Sequence, residues 1–436
     1  MAPRAKTEGS PLFYGWYILA ASFVILFFNA GARSSISVMF KPIAAEFGWN
    51  RGTISFTFFL QMVLFATSLT LIGRFYDRYG PKWVIIISTL FISIGYMFIA
   101  FIDTLWQFLL FYSVIAAVGL GGTAVPIFAA ISSKWFEKGR AFAASLSLSG
   151  NCIGQFVLVP VMTYFVINYG WRISHFLIGV VMLVVNITLA LLVIKGDPED
   201  LGYKPYGLHE GNIPEEKSEL QASDVPQADM TLTEAMKTRS FWFIFTFMLF
   251  CGTADFLVST HLIPFVTDYG ISPTSAGNML AWLGLLGMAG ILVAGPIADR
   301  IGNKIPLSMV FFLRVLLLLM IVKYQNPLSL YVFALLFGFT FLITAPLLPA
   351  LIGKLFGFSH VGLISGFLMT FHYMGGGFGA YLGGLIFDNT GSYQNAFLLL
   401  AMMSLIAAFS CILIQEKRHD PYPKRSQQVA AELRTH

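Results

Sequence analysis

Arg33 and Asp255 are opposite charges set 222 residues apart, each inside a long apolar run. A charge at mid-depth of a membrane helix costs about 2.5–3.5 kcal/mol on insertion scales, so each requires a partner, a wet cavity or a ligand. Asn29, Arg33 and Ser37 recur at a spacing of four, as do Asp255 and Ser259, which puts each set on one helical stripe. The fixed donor fork of an arginine matches a carboxylate in bidentate fashion. One reading is therefore a substrate anion on Arg33 and a proton on Asp255. The other is a structural ion pair closing the outer half of a cavity. In the first, substrate takes Arg33, Asp255 loses its partner and accepts a proton, and the loaded site is close to neutral. His372, beside Tyr373 and ahead of Gly375, Gly376, Gly377 and Gly379, is either a second donor to substrate or a packing histidine. His261 lies six residues past Asp255 and so off its stripe; it is grouped with Asp255 for proton handling, with structural or gating use as the other reading. Asn151 and Gln155, one turn apart, either line the cavity or bond a neighbouring helix.

Such residues must be positioned by helices that cross a bilayer. Of 436 residues, 57% are hydrophobic and 11% charged, where a soluble protein carries roughly a quarter charged. That balance excludes a disordered chain, a disulfide-built secreted module and a nucleic-acid binder, and the net charge of +5 reads as membrane orientation. Cys152, Cys251 and Cys411 have no metal or disulfide spacing and read as packing residues. A crossing helix needs about 20 apolar residues. Twelve runs qualify, near 15–42, 52–74, 82–102, 105–132, 141–168, 172–194, 240–267, 273–297, 305–323, 327–352, 360–387 and 392–414. The polar stretch from Lys195 to Arg239 separates them into six and six. The expected organisation is a bundle over 1–194, a cytoplasmic linker over 195–239, a second bundle over 240–414 and a tail over 415–436. The first run is too long for a signal-peptide core and is read as a retained span. With both termini on one side, 21 Lys and Arg residues fall on that side and 4 on the other, which places both termini in the cytoplasm of a multi-pass cell-membrane protein.

The halves are copies. Gly73, Asp77, Arg78, Gly80 and Lys82 return 222 residues later as Gly295, Asp299, Arg300, Gly302 and Lys304; Pro42 and Gly48 return as Pro264 and Gly270. Gly170 and Phe176 return at a shift of 221 as Gly391 and Phe397. Six spans per copy make the repeats parallel, an arrangement known from transporters that open a shared site alternately to each side. The segment from Gly73 to Lys82 resembles the signature loop of the major facilitator superfamily, and Gly295 to Lys304 resembles its second copy. Arg140, followed by Gly150 and Gly154, also fits that pattern. The openings Phe13-Tyr-Gly-Trp16 and Ser34 to Lys41 resemble the monocarboxylate-transporter branch, and Asp197 to Gly207 resembles bacterial carboxylate carriers of the oxalate–formate exchanger group.

The resemblance implies an all-α membrane protein with twelve transmembrane helices in two pseudo-symmetric six-helix bundles. It also puts Arg314 on a peripheral support helix, snorkelling or locally paired. That branch commonly carries an Asp and an Arg in span eight, yet residues 273–297 hold no charge. Asp77, Arg78, Arg140, Asp299 and Arg300 are expected to make charge contacts between the halves at the cytoplasmic surface.

The chain has no phosphate-cradling loop of the Gly-x4-Gly-Lys-Ser/Thr type and no His-Glu-x-x-His pair, which argues against an ATP-driven pump and a membrane metalloenzyme. A nutrient receptor would need a signalling domain longer than the basic tail. A drug carrier would want an acidic aromatic cavity, and a sugar carrier more neutral hydrogen-bonding groups. The expectation is a monomeric carrier, not an enzyme, without metal or cofactor. It moves small organic anions, chiefly monocarboxylates, by proton symport; carboxylate exchange and proton-coupled efflux of other small molecules are the alternatives.

Overall fold

The computed structural model describes residues 13–196, 198–207 and 229–416. The described chain is mainly helical, and its one β feature among the described residues is an isolated bridge between Phe136 and Tyr206. Its membrane helices are α1 (Tyr14–Phe47), α2 (Arg51–Ile99), α3 (Leu105–Trp135), α4 (Arg140–Tyr169), α5 (Trp171–Leu192), α6 (Arg239–Asp268), α7 (Pro273–Ile301), α8 (Lys304–Lys323), α9 (Pro327–Phe356), α10 (Val361–Thr390) and α11 (Gln394–Leu413). Helix α2 makes two passes, because Gly80 breaks it with φ 75° and ψ 170°. Eleven stretches are long and apolar enough to span a bilayer; glycine-rich α10 is the further long helix that completes twelve passes.

The duplicated glycines are turn residues. Gly48 and Gly270, Gly80 and Gly302, and Gly170 and Gly391 all have positive φ, between 66° and 83°. A side chain is strained in that region, so each copy keeps glycine where its chain reverses. Helices α3 and α9 are not continuous. Helix α3 has a π-helical stretch at Leu109–Ile115 and leaves helical geometry at Thr123, and α9 is interrupted at Leu342 and Ile343. Pro126 and Pro346 account for both interruptions, since a proline gives no N–H and its ring clashes with the carbonyl four residues earlier, here Gly122 and Leu342.

Close packing binds α1 to α4 and α6 to α10. A Cβ on Gly154 would stand 2.1 Å from the Phe27 carbonyl oxygen, and one on Gly252 2.0 Å from that of His372. The halves meet away from the linker. There α2 packs on α10, with Phe59 stacked on Tyr381 at 6.1 Å and Gly377 against Phe59 and Met62. Toward the linker the same helices part: a Cβ on Gly73, Gly362 or Gly366 would meet nothing within 4 Å.

The linker end is tied down locally. The Trp135 indole donates to the Gly196 carbonyl at 3.0 Å, and Tyr203 and Tyr206 pack with Phe13, Tyr14 and Trp135. The opening and linker segments that carried the family resemblance therefore touch each other, although Asp197 lies outside the described residues. Glu416 accepts from the Lys304 amide and pairs with Lys354 at 2.7 Å. Burial pushes its carboxyl up, but these donors outweigh that and hold its pKa below the ordinary value.

The packing predicts different costs at different glycines. Gly154→Val, forced against backbone, lowers stability by about 1–3 kcal/mol, whereas Gly362→Ala changes it by less than about 0.5 kcal/mol. Thermal unfolding of the purified protein in detergent checks both; equal effects contradict the packing described.

Candidate functional site

Between the halves lies a cavity of about 1000 Å3, counted out to open solvent. Asn29, Arg33 and Asn151 line it from the first half, and Asp255, His372 and Tyr373 from the second. Both helix interruptions line it as well, through Thr123 to Val125 and through Phe341, Leu342, Thr344 and Ala345. Broken helices at such a site follow membrane logic, since irregular backbone is tolerated only against protein or a wet cavity. Gln155 and Ser259 border a smaller adjoining space beside Arg33.

Arg33 and Asp255 do not pair. The carboxylate of Asp255 is held by Arg314, 2.8 Å from Nη2 to Oδ1, and Arg314 is completely buried. The guanidinium also donates to the Thr340 hydroxyl at 3.0 Å, to the Thr340 carbonyl at 2.9 Å and to Cys251 Sγ at 3.5 Å, and it faces the ring of Phe337. Three of its five N–H groups go to Thr340 and Cys251, and Nη2 makes a close ion contact with Asp255 Oδ1, which has no aligned donor among the described residues. The Cys251 thiol donates to Asp255 Oδ2 at 3.3 Å. Cys251 is thus part of a polar cluster and not the plain packing residue expected. Arg314 is locally paired and does not snorkel. Residues 273–297 hold no charge, and the buried Asp–Arg contact of the second half is instead made between α6 and α8. Sequence spacing cannot reveal a pair formed across two helices 59 residues apart.

Cys251, Asp255 and His372 bring three metal-ligating atoms within 4.8 Å of one another. The Arg314 guanidinium already supplies positive charge to two of them, which disfavours a cation there. His372 Nδ1 bonds the Met248 carbonyl at 3.2 Å, so Nδ1 carries the proton and Nε2 is left as acceptor.

Arg33 is half-buried, and among the described residues it makes no hydrogen bond or ion pair. The rest of its stripe is otherwise occupied. Asn29 donates to the Thr123 carbonyl at 3.1 Å and accepts from Asn186 at 3.3 Å. Ser37 is buried outside the cavity lining, with no partner for its hydroxyl among the described residues. Gln155 donates across the halves to the Leu280 carbonyl at 3.1 Å.

His261 is not at the cavity. It belongs to a seal at the end away from the linker, where Asp268 pairs with Lys41 at 2.6 Å and with Arg51 at 2.8 Å. Arg51 also donates to the Tyr393 hydroxyl at 2.9 Å, and Asp388 accepts from the amides of Arg51 and Gly52. His261 Nε2 lies 2.8 Å from the Ala380 carbonyl and so carries the proton, leaving Nδ1 to accept from Tyr393 at 2.8 Å.

The seal arises where the two copies differ. Glu46 and Asp268 are equivalent at the 222 shift, and Arg172 and Tyr393 at 221. In the first half Glu46 pairs with Arg172 of its own half at 2.8 Å. With tyrosine at the matching place in the second half, Asp268 takes its cations from the first half instead.

At the linker end Asp77, Arg78, Asp299 and Arg300 are exposed, and no ion pair among the described residues joins them to the opposite half. The expected charge contacts there are not made in this conformation, in which the halves part at that end. The Arg140 side chain lies outside the described residues.

The chain that builds this cavity is similar to known proteins. The sequence model described as Major Facilitator Superfamily matches residues 22–267 and 245–435. The chain belongs to this superfamily. It is a multi-pass membrane protein whose relatives are transporters. A Bacillus subtilis protein named as an uncharacterized MFS-type transporter, YcxA, is 23% identical over 91% of this chain and 94% of its own length. Monocarboxylate transporter 11 of Homo sapiens is 25% identical over 93% and 83%, and monocarboxylate transporter 13 of Rattus norvegicus 23% over 95% and 94%. Among solved structures, a bacterial homolog of the human lysosomal transporter Spinster, inward-facing and occupied, superposes with a TM-score of 0.72 at 15% identity, covering 93% of this chain and 97% of that one. The nucleoside transporter NupG gives 0.71 at 13%, covering 92% and 100%. These superpositions establish the major facilitator fold.

Two predictions follow from this geometry. Asp255→Asn strands a buried guanidinium and lowers stability by about 3–5 kcal/mol, while Asp255→Asn with Arg314→Met restores most of the loss; thermal unfolding that shows no recovery contradicts the pair. Asp268→Asn speeds amide exchange about tenfold at residues 51–55 and 384–393, whereas Glu46→Gln, which breaks a pair within one half, leaves those amides unchanged. Hydrogen–deuterium exchange with mass spectrometry reads both, and unchanged protection in Asp268→Asn contradicts the seal.

Proposed function

We propose that this major facilitator protein moves a small organic monocarboxylate across the cell membrane by alternating access, with Arg33 as the anchor for the carboxylate. The observation that carries the reading is a guanidinium without a partner among the described residues, half-buried in a cavity between the two halves. A cation so placed favours an anionic ligand, and an arginine fork fits a carboxylate. The monocarboxylate transporters among the relatives support the same cargo. The Lys and Arg bias puts the linker end in the cytoplasm, so the parted side faces inward and the Asp268–Arg51 seal faces outward.

Charge balance favours exchange over proton symport. Arg33, Asp255 and Arg314 together leave one net positive charge on the empty site. A bound monocarboxylate cancels it, and the loaded carrier can then reorient through a low-dielectric passage more cheaply than the empty one. A proton on Asp255 would instead uncouple the buried Arg314. Symport remains the second reading, because Asp255 lines the cavity and its Oδ1 lacks an aligned donor.

Proteoliposomes test both readings. Labelled acid enters vesicles preloaded with unlabelled acid faster than it enters protein-free liposomes, and under an inward proton gradient empty vesicles accumulate no more of it than protein-free liposomes do. Arg33→Gln lowers the exchange rate at least about tenfold, the scale of a lost charge-assisted hydrogen bond. Gradient-driven accumulation in empty vesicles beyond that of protein-free liposomes overturns exchange in favour of symport, and exchange untouched by Arg33→Gln overturns the anion site.

A further inference from the structure

The polar groups of the cavity are mostly already used by the protein. Asn29 is bonded on both sides, the Thr123 hydroxyl donates to the Gly119 carbonyl, and Asp255 is held by Arg314 and Cys251. Among the described residues, those lining the cavity with no hydrogen bond or ion pair are Arg33, Asn151 and the Tyr373 hydroxyl. His372 adds one acceptor nitrogen. Against these few groups stands a wall that is otherwise apolar, including Phe65, Leu120, Val125, Phe256, Phe341 and Met369. Phe65 and Phe256 pack edge-on against Tyr373, with centroids 4.9 and 6.0 Å apart.

A ligand complementary to this surface has one anionic head, little other polarity and a hydrocarbon body. Among the described residues lining the cavity, a second carboxylate would find no further free cation. Arg314 is completely buried behind Asp255, and the Asp255 charge faces any anion that approaches it. A very short acid would engage Arg33 but leave the apolar wall wet. Resting on the anion reading above, we propose that the cargo is a monocarboxylate with an apolar body of several carbons, aliphatic or aromatic, which covers the apolar wall while its head is on Arg33. Its carboxylate lies on Arg33 and its body against the Phe65, Phe256 and Phe341 side of the cavity. Dicarboxylates, including the short ones, are rejected.

The test is binding of a graded acid series to purified protein in nanodiscs by calorimetry. The probes are acetate, butyrate, hexanoate, phenylacetate and adipate, each against the parent protein, Arg33→Gln and Arg33→Lys. Affinity is expected to rise by up to about fourfold per methylene from acetate to hexanoate, the limit set by burying each group. Phenylacetate binds at least as well as butyrate, and adipate at least tenfold more weakly than hexanoate of equal length. Arg33→Gln abolishes the series, while Arg33→Lys keeps its slope at lower affinity. Adipate binding as tightly as hexanoate, or affinity flat from acetate onward, overturns the proposed cargo while leaving an Arg33-dependent anion site standing. Binding of every acid unaffected by Arg33→Gln overturns the anion reading, and the cargo assignment with it.

Discussion

The ion contact between Asp255 and Arg314 decides what the cavity can hold. Two buried charges 2.8 Å apart cancel each other inside the second half, and Thr340 and Cys251 accept three further bonds from the guanidinium. Such a pair adds little net stability over an apolar core, but breaking it is costly because it leaves one charge stranded. Its consequence lies across the cavity. With Asp255 engaged from behind, Arg33 faces the open space without a countercharge of its own.

The duplication supplies the scaffold and its departures supply the asymmetry. Glycines at matched places turn the chain in both halves, and a proline in each half, Pro126 in α3 and Pro346 in α9, opens the backbone at the cavity. Where Arg172 is matched by Tyr393, the acid of the second half turns to Arg51 and Lys41 and ties the halves together at one end. A seal that depends on cations from the opposite half can part without unfolding either bundle. That is what alternating access requires of a closed side, since each half must move as a body.

Much of the fold was legible because bilayer thickness and turn chemistry act locally. The apolar runs and the repeat follow from residue type and offset. Asn29, Arg33, Asn151, Asp255, His372 and Tyr373 share one cavity because the repeat puts equivalent helices opposite each other. The pairing of Asp255 was not legible. The 222 offset makes Arg33 and Asp255 equivalent in height, but contact depends on helix rotation and on neighbours, and α8 brings Arg314 within reach of Asp255 from the other side. His261 illustrates the same limit, since two turns along α6 carry it from the cavity to the seal. One local signal did exist for the broken helices, in Pro126 and Pro346.

The most direct measurement is an experimental structure with a bromine-labelled carboxylic acid bound, the bromine located by anomalous scattering. The account predicts the carboxylate within hydrogen-bonding distance of Arg33, the bromine among Phe65, Phe256 and Phe341, and Asp255 still on Arg314. A carboxylate seated on Arg314, or Arg33 closed onto Asp255 with the acid elsewhere, contradicts it.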